Sequence, residues 1–293
     1  MDFFLKLGGI RFRFHSDCDI MIAESFAPFL CSELSVFDVR IDLSHDFSSA
    51  PLPCAPMAGE DVLMEYYWQD GGLLSMSKAG QGRWLSACLS SPDMSTHRLW
   101  LNFPGGHVAD TLAHVLRMIP LRRILLSRGV LFLHASQVAL GDTGILFTAP
   151  SQTGKTTQAK LWNRYRGAEI LCNDRTLTDC RLTYGFPVDG SEPVMSGECR
   201  KLGAIVVLRQ APENTLRRLR PREALPLLMS QAVMDTWDDT ARAATADRML
   251  DLISKTPVYL LACTPDERAV QCLEQQLSMD GVISNANNSG SHS

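Results

Sequence analysis

The stretch "LFTAPSQTGKTTQ", residues 146–158, decides how the rest of the chain is read. It runs from an apolar, strand-like segment through a polar turn into residues that favour a helix. Its end, Gly154-Lys155-Thr156, matches the close of the GxxxxGK[ST] phosphate-binding loop. Each residue type has a physical task there. Gly154 lets the backbone turn so that an N–H faces a phosphate oxygen. Lys155 carries a cation to the β- and γ-phosphates, and the Thr156 hydroxyl is a ligand for Mg²⁺. The following helix offers unpaired N–H groups and the positive end of its dipole to the anion. Ser151, Thr153, Gly154, Lys155, Thr156 and Thr157 are thus the candidate nucleotide-binding residues.

Two positions depart from the usual pattern. Ala149 stands in place of the first glycine, and a methyl is tolerable there if φ stays negative. Gln152 stands where many such loops carry another glycine. A positive φ at Gln152 would cost about 1 kcal/mol.

Outward from the loop, "VLFLHASQVAL" and "GILFTA" read as two strands separated by the turn "GDTG". "TTQAKLWNRYRG" reads as a helix stopped at Gly167, and "AEILCND" as a short buried strand. "GAIVVLRQ", apolar and β-branched, reads as a strong buried strand. Residues 222–254 read as helices, and "TPVYLLACTPDERAVQCLEQQL" as a strand followed by a helix. Thr264 and Glu267 have capping-box spacing, with Pro265 at the first helical position. Earlier, Val108, Leu112, Val115, Leu116 and Ile119 form a helical stripe that Pro120 ends or kinks. "GIRFRFHS" alternates as a half-buried strand. The expected organisation is a strand-rich α+β region over 1–100, an α/β nucleotide-binding domain over 101–278 and a disordered tail over 279–293.

Bulk properties are compatible with this. The chain has 293 residues, with 28 basic and 32 acidic side chains and a net charge of −4. That balance does not favour nucleic acid as a partner. The nine cysteines include no CxxC pair, which argues against a zinc knuckle. No run approaches the about 20 apolar residues of a membrane span, and "MDFFLKLGGIRFRF" lacks a signal-peptide core. A soluble, cytoplasmic protein is expected.

With its flanks, the segment "LHASQVALGDTGILFTAPSQTGKTTQAKLW…EILCNDRTL" resembles the HPr kinase/phosphorylase group and its shorter relatives, which are related to phosphoenolpyruvate carboxykinase. His134, Gly144, Lys155 and Asp174 stand in the family's order, and the resemblance spans roughly 130–265. It implies an ATP- and Mg²⁺-dependent kinase that phosphorylates a serine or threonine hydroxyl on a peptide or protein. It also implies that Asp174 binds metal or orients the acceptor, and that His134 lies near the transferred phosphoryl group. His134 alone reads as a core histidine, and in the family's order equally as a site residue; Asp174 also reads as an N-cap or turn residue. Asn173 replaces the first residue of the family's acidic pair, and an amide takes no proton at neutral pH. A non-catalytic nucleotide-binding accessory protein is the alternative. The segment 185–201 reads as a lid, with Arg200 or Lys201 on phosphate, or equally as a disordered segment, and Arg175 reads as a surface partner of Asp174.

Overall fold

A computed structural model describes residues 1–17, 19–32, 36–79, 83–102, 111–187 and 196–284. The chain is a strand-rich, mixed α/β protein with two sheets. It divides into two compact units, Met1–Val130 with Met234–Ala244, and Leu131–Val233 with Thr245–Ser293. Among the described residues no helix is long and apolar enough to cross a membrane.

The first unit is built on β1 (Asp2–Leu7), β2 (Ile10–Ser16), β3 (Leu30–Cys31), β4 (Val39–Ser44), β5 (Met57–Glu60), β6 (Met64–Gln69), β7 (Gly72–Ala79), β8 (Arg83–Ser90) and β9 (Thr96–Leu101). They form one sheet in the order β3-β1-β2-β4-β9-β8-β7-β6-β5. The period of two in β2 does what it should. Ile10, Phe12 and Phe14 are buried while Arg11 and Arg13 are half-exposed, and Phe14 stacks on Phe3. Two short helices follow, α1 (Leu112–Met118) and α2 (Leu121–Ser127), divided at Pro120. Thr111 caps α1 by accepting from the His114 N–H. Val108, the first member of the expected stripe, lies outside the described residues. A unit boundary near residue 100 was the expectation, but the observed division falls after Val130. The reason is that β9 sits mid-sheet, between β4 and β8, and α1 packs on β7 and β8.

Residues 234–244 belong to this unit because a charged and aromatic cluster holds them there. Asp235, with a side chain only 3% exposed, lies 2.7 Å from Arg122 Nε and 3.0 Å from Arg123 Nε. Arg122 also pairs with Asp61, and Arg123 with Asp238. The Arg123 guanidinium lies over the ring of Trp237, which stacks on Tyr66 at 4.6 Å. Removing one partner of such a buried network costs about 3–5 kcal/mol.

The second unit comprises β10 (Leu131–Leu140), β11 (Thr143–Thr148), α3 (Lys155–Arg166), β12 (Glu169–Cys172), β13 (Arg175–Thr178), β14 (Leu182–Gly185), β15 (Cys199–Gln210), β16 (Thr215–Arg218), α4 (Pro221–Met229), α5 (Asp239–Lys255), β17 (Val258–Cys263) and α6 (Glu267–Met279); the first turn of α5 lies in the first unit. β10 and β11 form a hairpin in which Leu140 faces Thr143, with Gly141 at φ +57°. β11 also pairs in parallel with β15, so β10, β13, β14, β15 and β11 close a circuit. β17 continues the parallel set alongside the second half of β15.

Both faces of this parallel set are covered, which is why β15 reads as a near-continuous apolar run. Ala204, Val206 and Leu208 pack with Phe147, Trp162 and Leu273 on the α3–α6 side. Ile205 and Val207 pack with Leu228, Met249 and Leu252 on the α4–α5 side.

Two local expectations are corrected. The N-cap of α6 is Asp266, whose side chain accepts from the Ala269 N–H, so Thr264 and Pro265 precede the helix. Arg200 and Lys201 are not at the loop 149–154. They lie in β15, where Lys201 pairs with Thr143 at the amino end of β11, and Arg200 bonds Glu169. The loop leaves the other end of that strand. The core of the expected lid, 188–195, lies outside the described residues.

Gly59 meets the aromatic cluster directly. A Cβ built there would lie 2.4 Å from Trp237 Cε3. Gly59→Ala is expected to destabilise the protein by about 1–3 kcal/mol, with a shift in Trp fluorescence. An unchanged urea midpoint would contradict this packing.

Candidate functional site

The site starts from the strand–loop–helix connection β11–α3. Residues 149–154 join them at the carboxyl end of β11, where ligands bind in parallel α/β sheets. Gly154 is the N-cap of α3 with φ +110°. A Cβ at Gly154 would meet nothing within 4 Å. The glycine is therefore required by its backbone angle and not by crowding. Gln152 takes φ +62°, the strained outcome foreseen for it. Ala149 is not in the positive-φ region, and its methyl is fully buried in the α3 core. The first glycine of the usual loop is thus dispensable here, whereas the second position carries strain. Gln210, at the end of β15, donates through Nε2 to the Gln152 carbonyl at 3.4 Å.

Lys155 opens α3. It is 7% exposed, and its Nζ donates to the carbonyls of Ala149 at 2.8 Å and Pro150 at 3.2 Å. Burial pushes its ammonium below the usual range, while the nearby Asp174 carboxylate opposes that shift. Thr156 and Thr157 follow in the first turn of α3, whose leading amides have no acceptor inside the helix. Ser151 and Thr153 lie on the loop, where the Thr153 N–H donates to the Pro150 carbonyl.

His134 and Asp174 come together. Cys172 at the end of β12 keeps the register of β13 on β10, with Cys172 opposite Gln137 and Arg175 opposite His134, while the rest of β12 is shifted by a bulge between Gln137 and Val138. Asn173 and Asp174 interrupt that ladder. In an unbroken strand Asp174 would face Ala135 and point away from His134. The interruption lets the carboxylate reach the ring, and Asp174 Oδ1 lies 2.9 Å from His134 Nε2. The turn is pinned by Ser136, whose hydroxyl donates to the Asn173 carbonyl at 2.7 Å, and by the Ala135 N–H, which donates to the Asp174 carbonyl. His134 is fixed in turn: its N–H donates to Gln231 O and its carbonyl accepts from Thr148 Oγ1. It is a partly exposed side chain, 30% accessible, and not a core histidine.

The hydrogen bond from His134 is the main cause of the low Asp174 carboxyl; Arg175 adds to it and partial burial opposes it. An ionised carboxylate only accepts, so Nε2 is the donor, which leaves Nδ1 as the acceptor in the neutral tautomer. Arg175 Nε lies 3.4 Å from Asp174 Oδ2. Asn173, by contrast, is buried. Among the described residues, no group of three or more His, Cys, Asp or Glu side chains gathers as a metal centre. A Mg²⁺ site of the phosphate-loop kind asks less of the protein, one or two oxygens completed by waters and phosphate. The Thr156 hydroxyl and the Asp174 carboxylate are donors of that hard-oxygen kind.

Arg175 was legible only as a surface partner of Asp174. The signal for more was the strand register, which puts it opposite His134. Comparison of the sequence with known proteins finds no protein-family model and no curated protein that matches the chain.

Two outcomes follow from the site. Replacing His134 with Ala should move the Asp174 carboxyl up toward about 3.9, the unfolded value. A carboxyl held low adds stability above its unfolded pKa and loses it as pH falls through the folded one. The variant should therefore lose that contribution at neutral pH; an unmoved carbon-13 titration of Asp174 would contradict the pairing. Separately, Gln152→Val should cost at least about 1 kcal/mol, while Gln152→Gly should be neutral or stabilising by up to about 1 kcal/mol. Equal denaturation midpoints for the two variants would rule out the left-handed loop.

Proposed function

We propose that this chain is an HPr kinase-like, ATP-dependent kinase of the cytoplasm. Its second unit is the P-loop nucleotide domain, and its acceptor is a serine or threonine hydroxyl on a peptide or protein. The observation that carries the proposal is the strand–loop–helix with Lys155 at the first helical position, within electrostatic reach of a His134–Asp174 pair. Thiols at eight described cysteines suit a reducing compartment.

Lys155 and the loop amides, on this proposal, hold the β- and γ-phosphates of ATP. Lys155 would exchange its two carbonyl partners for phosphate oxygens, which match a cation better than neutral dipoles do. Thr156 and Asp174 would hold Mg²⁺, which supplies charge neutralisation between the phosphates. The acceptor oxygen attacks the γ-phosphorus, the bond from that phosphorus to the bridging oxygen breaks, and ADP leaves with the electron pair. The acceptor proton passes to His134 Nδ1, the Asp174 carboxylate having fixed the tautomer. His134 therefore takes over the proton-accepting duty that Asn173 cannot perform. A loose phosphoryl-transfer transition state needs little base assistance, so alignment and charge remain the larger contributions.

The amide of Asn173 also favours a second reading, a nucleotide-binding accessory protein without transfer. Incubation with labelled ATP, Mg²⁺ and candidate peptides separates the two. Label on a hydroxyl supports the kinase, whereas tight ATP binding with no transfer supports the accessory protein.

Lys155→Ala is expected to abolish ATP binding in calorimetry while the circular dichroism of the folded protein persists. Unchanged affinity would refute a nucleotide site at this loop.

A further inference from the structure

Arg175 has a placement that the proposed roles of Lys155, Asp174 and His134 leave unused. It stands directly opposite His134 in the β10–β13 ladder, so the two side chains leave the same face of the sheet. Its guanidinium carbon lies 5.7 Å from the centroid of the Phe132 ring. Phe132 is itself nearly buried, at 8% exposure, and packs against Phe186 with centroids 4.6 Å apart. A cation over a fixed, partly desolvated ring is held in place more firmly than a free surface arginine.

The approach to Asp174 is from Nε, 3.4 Å from Oδ2, and that Nε makes no hydrogen bond. A purely structural Arg–Asp partnership favours the two-pronged fork, with parallel N–H groups on both carboxylate oxygens. Here the fork is unspent. Among the described residues no hydrogen bond engages Nη1 or Nη2, and the side chain is 38% exposed. Its stem is held by an aromatic face and a carboxylate, and its donor edge is open beside His134.

We propose that Arg175 is a second phosphate-gripping cation of this site, directed at the terminal phosphoryl group of a bound nucleoside triphosphate. The proposal rests on the nucleotide reading of the loop. Lys155 approaches the phosphates from the helix end, and Arg175 approaches from the first position of β13, next to Asp174. Two negative groups, Asp174 and a triphosphate, face each other in that space, and Arg175 offsets their repulsion. Because guanidinium N–H groups match the geometry of phosphate oxygens, Arg175 discriminates the triphosphate from the diphosphate. ADP keeps its contacts to Lys155 and the loop amides but offers nothing to Arg175.

Calorimetry on the full chain with Mg²⁺ and either ADP or β,γ-imido-ATP tests this without knowing the acceptor. Arg175→Gln is expected to bind ADP within about twofold of the parent and to lose about ten- to a hundredfold of its preference for the triphosphate, the worth of hydrogen bonds to a charged group. Arg175→Lys should recover part of that preference, and Phe132→Leu, which removes the ring face, should lose part of it. If Arg175→Gln does not fold, the loss is read from Arg175→Lys alone, where several-fold is expected. A triphosphate-to-diphosphate preference unchanged in these arginine variants overturns the role of Arg175 while leaving the nucleotide site standing. A parent protein that binds neither nucleotide overturns both.

Discussion

Lys155 is a cation in the wrong place for a stable protein. It opens a helix, where the dipole opposes positive charge by about 0.3–1 kcal/mol, and its side chain is almost wholly out of water. Two backbone carbonyls hold it, at 2.8 and 3.2 Å. Hydrogen bonds from a charged donor are worth about 1.5–3 kcal/mol each, enough to outweigh the dipole but supplied only by neutral acceptors. The carboxylate of Asp174 acts on it at longer range. A helix start with a buried ammonium, a left-handed glycine before it and leading amides that lack an acceptor inside the helix suits the anion proposed for it. The loop, the His134–Asp174 turn and the arginine opposite His134 derive their meaning from that mismatch.

The scaffold explains how the mismatch is maintained. β11 and β15 are buried on both faces, between the α3–α6 core and the α4–α5 core. The loop leaves a strand buried on both faces, and Gln210 at the end of its neighbour donates to the strained Gln152 peptide. Ala149 shows how a departure from the usual loop is absorbed, because its methyl adds to the α3 core. On the other side of β10, Ser136 and Ala135 hold the Asn173–Asp174 break open. A strand interruption costs ladder hydrogen bonds, and here it delivers a carboxylate to a histidine one residue out of register.

What was legible in the sequence was local. The hairpin 131–148, the loop with its glycine, the helix ending at Gly167 and the buried strand β15 each follow from neighbouring residues, because period, turn chemistry and capping act over a few positions. Long-range partnerships were not legible. Nothing local to Asp235 says that it pairs with Arg122 and Arg123, more than a hundred positions away, and so returns its segment to the first unit. Arg200 and Lys201 looked suited to phosphate by charge, but only the parallel register with Thr143 reveals that they occupy the wrong end of the strand. Asp266 took the cap expected of Thr264 because it lies one residue before the first helical turn and its oxygen reaches the Ala269 amide. Arg175 was visible as a charge next to Asp174, while its position across from His134 belongs to the register.

The account stands or falls on what occupies the cradle formed by 149–156. A crystal structure of the full chain with Mg²⁺ and a non-hydrolysable ATP analogue tests it most directly. The expected result is the triphosphate lying against the backbone amides of the loop, with Lys155 Nζ released from the Ala149 and Pro150 carbonyls onto phosphate oxygens. A structure at saturating analogue in which Lys155 keeps both carbonyls, and the nucleotide is absent or bound elsewhere, would contradict it.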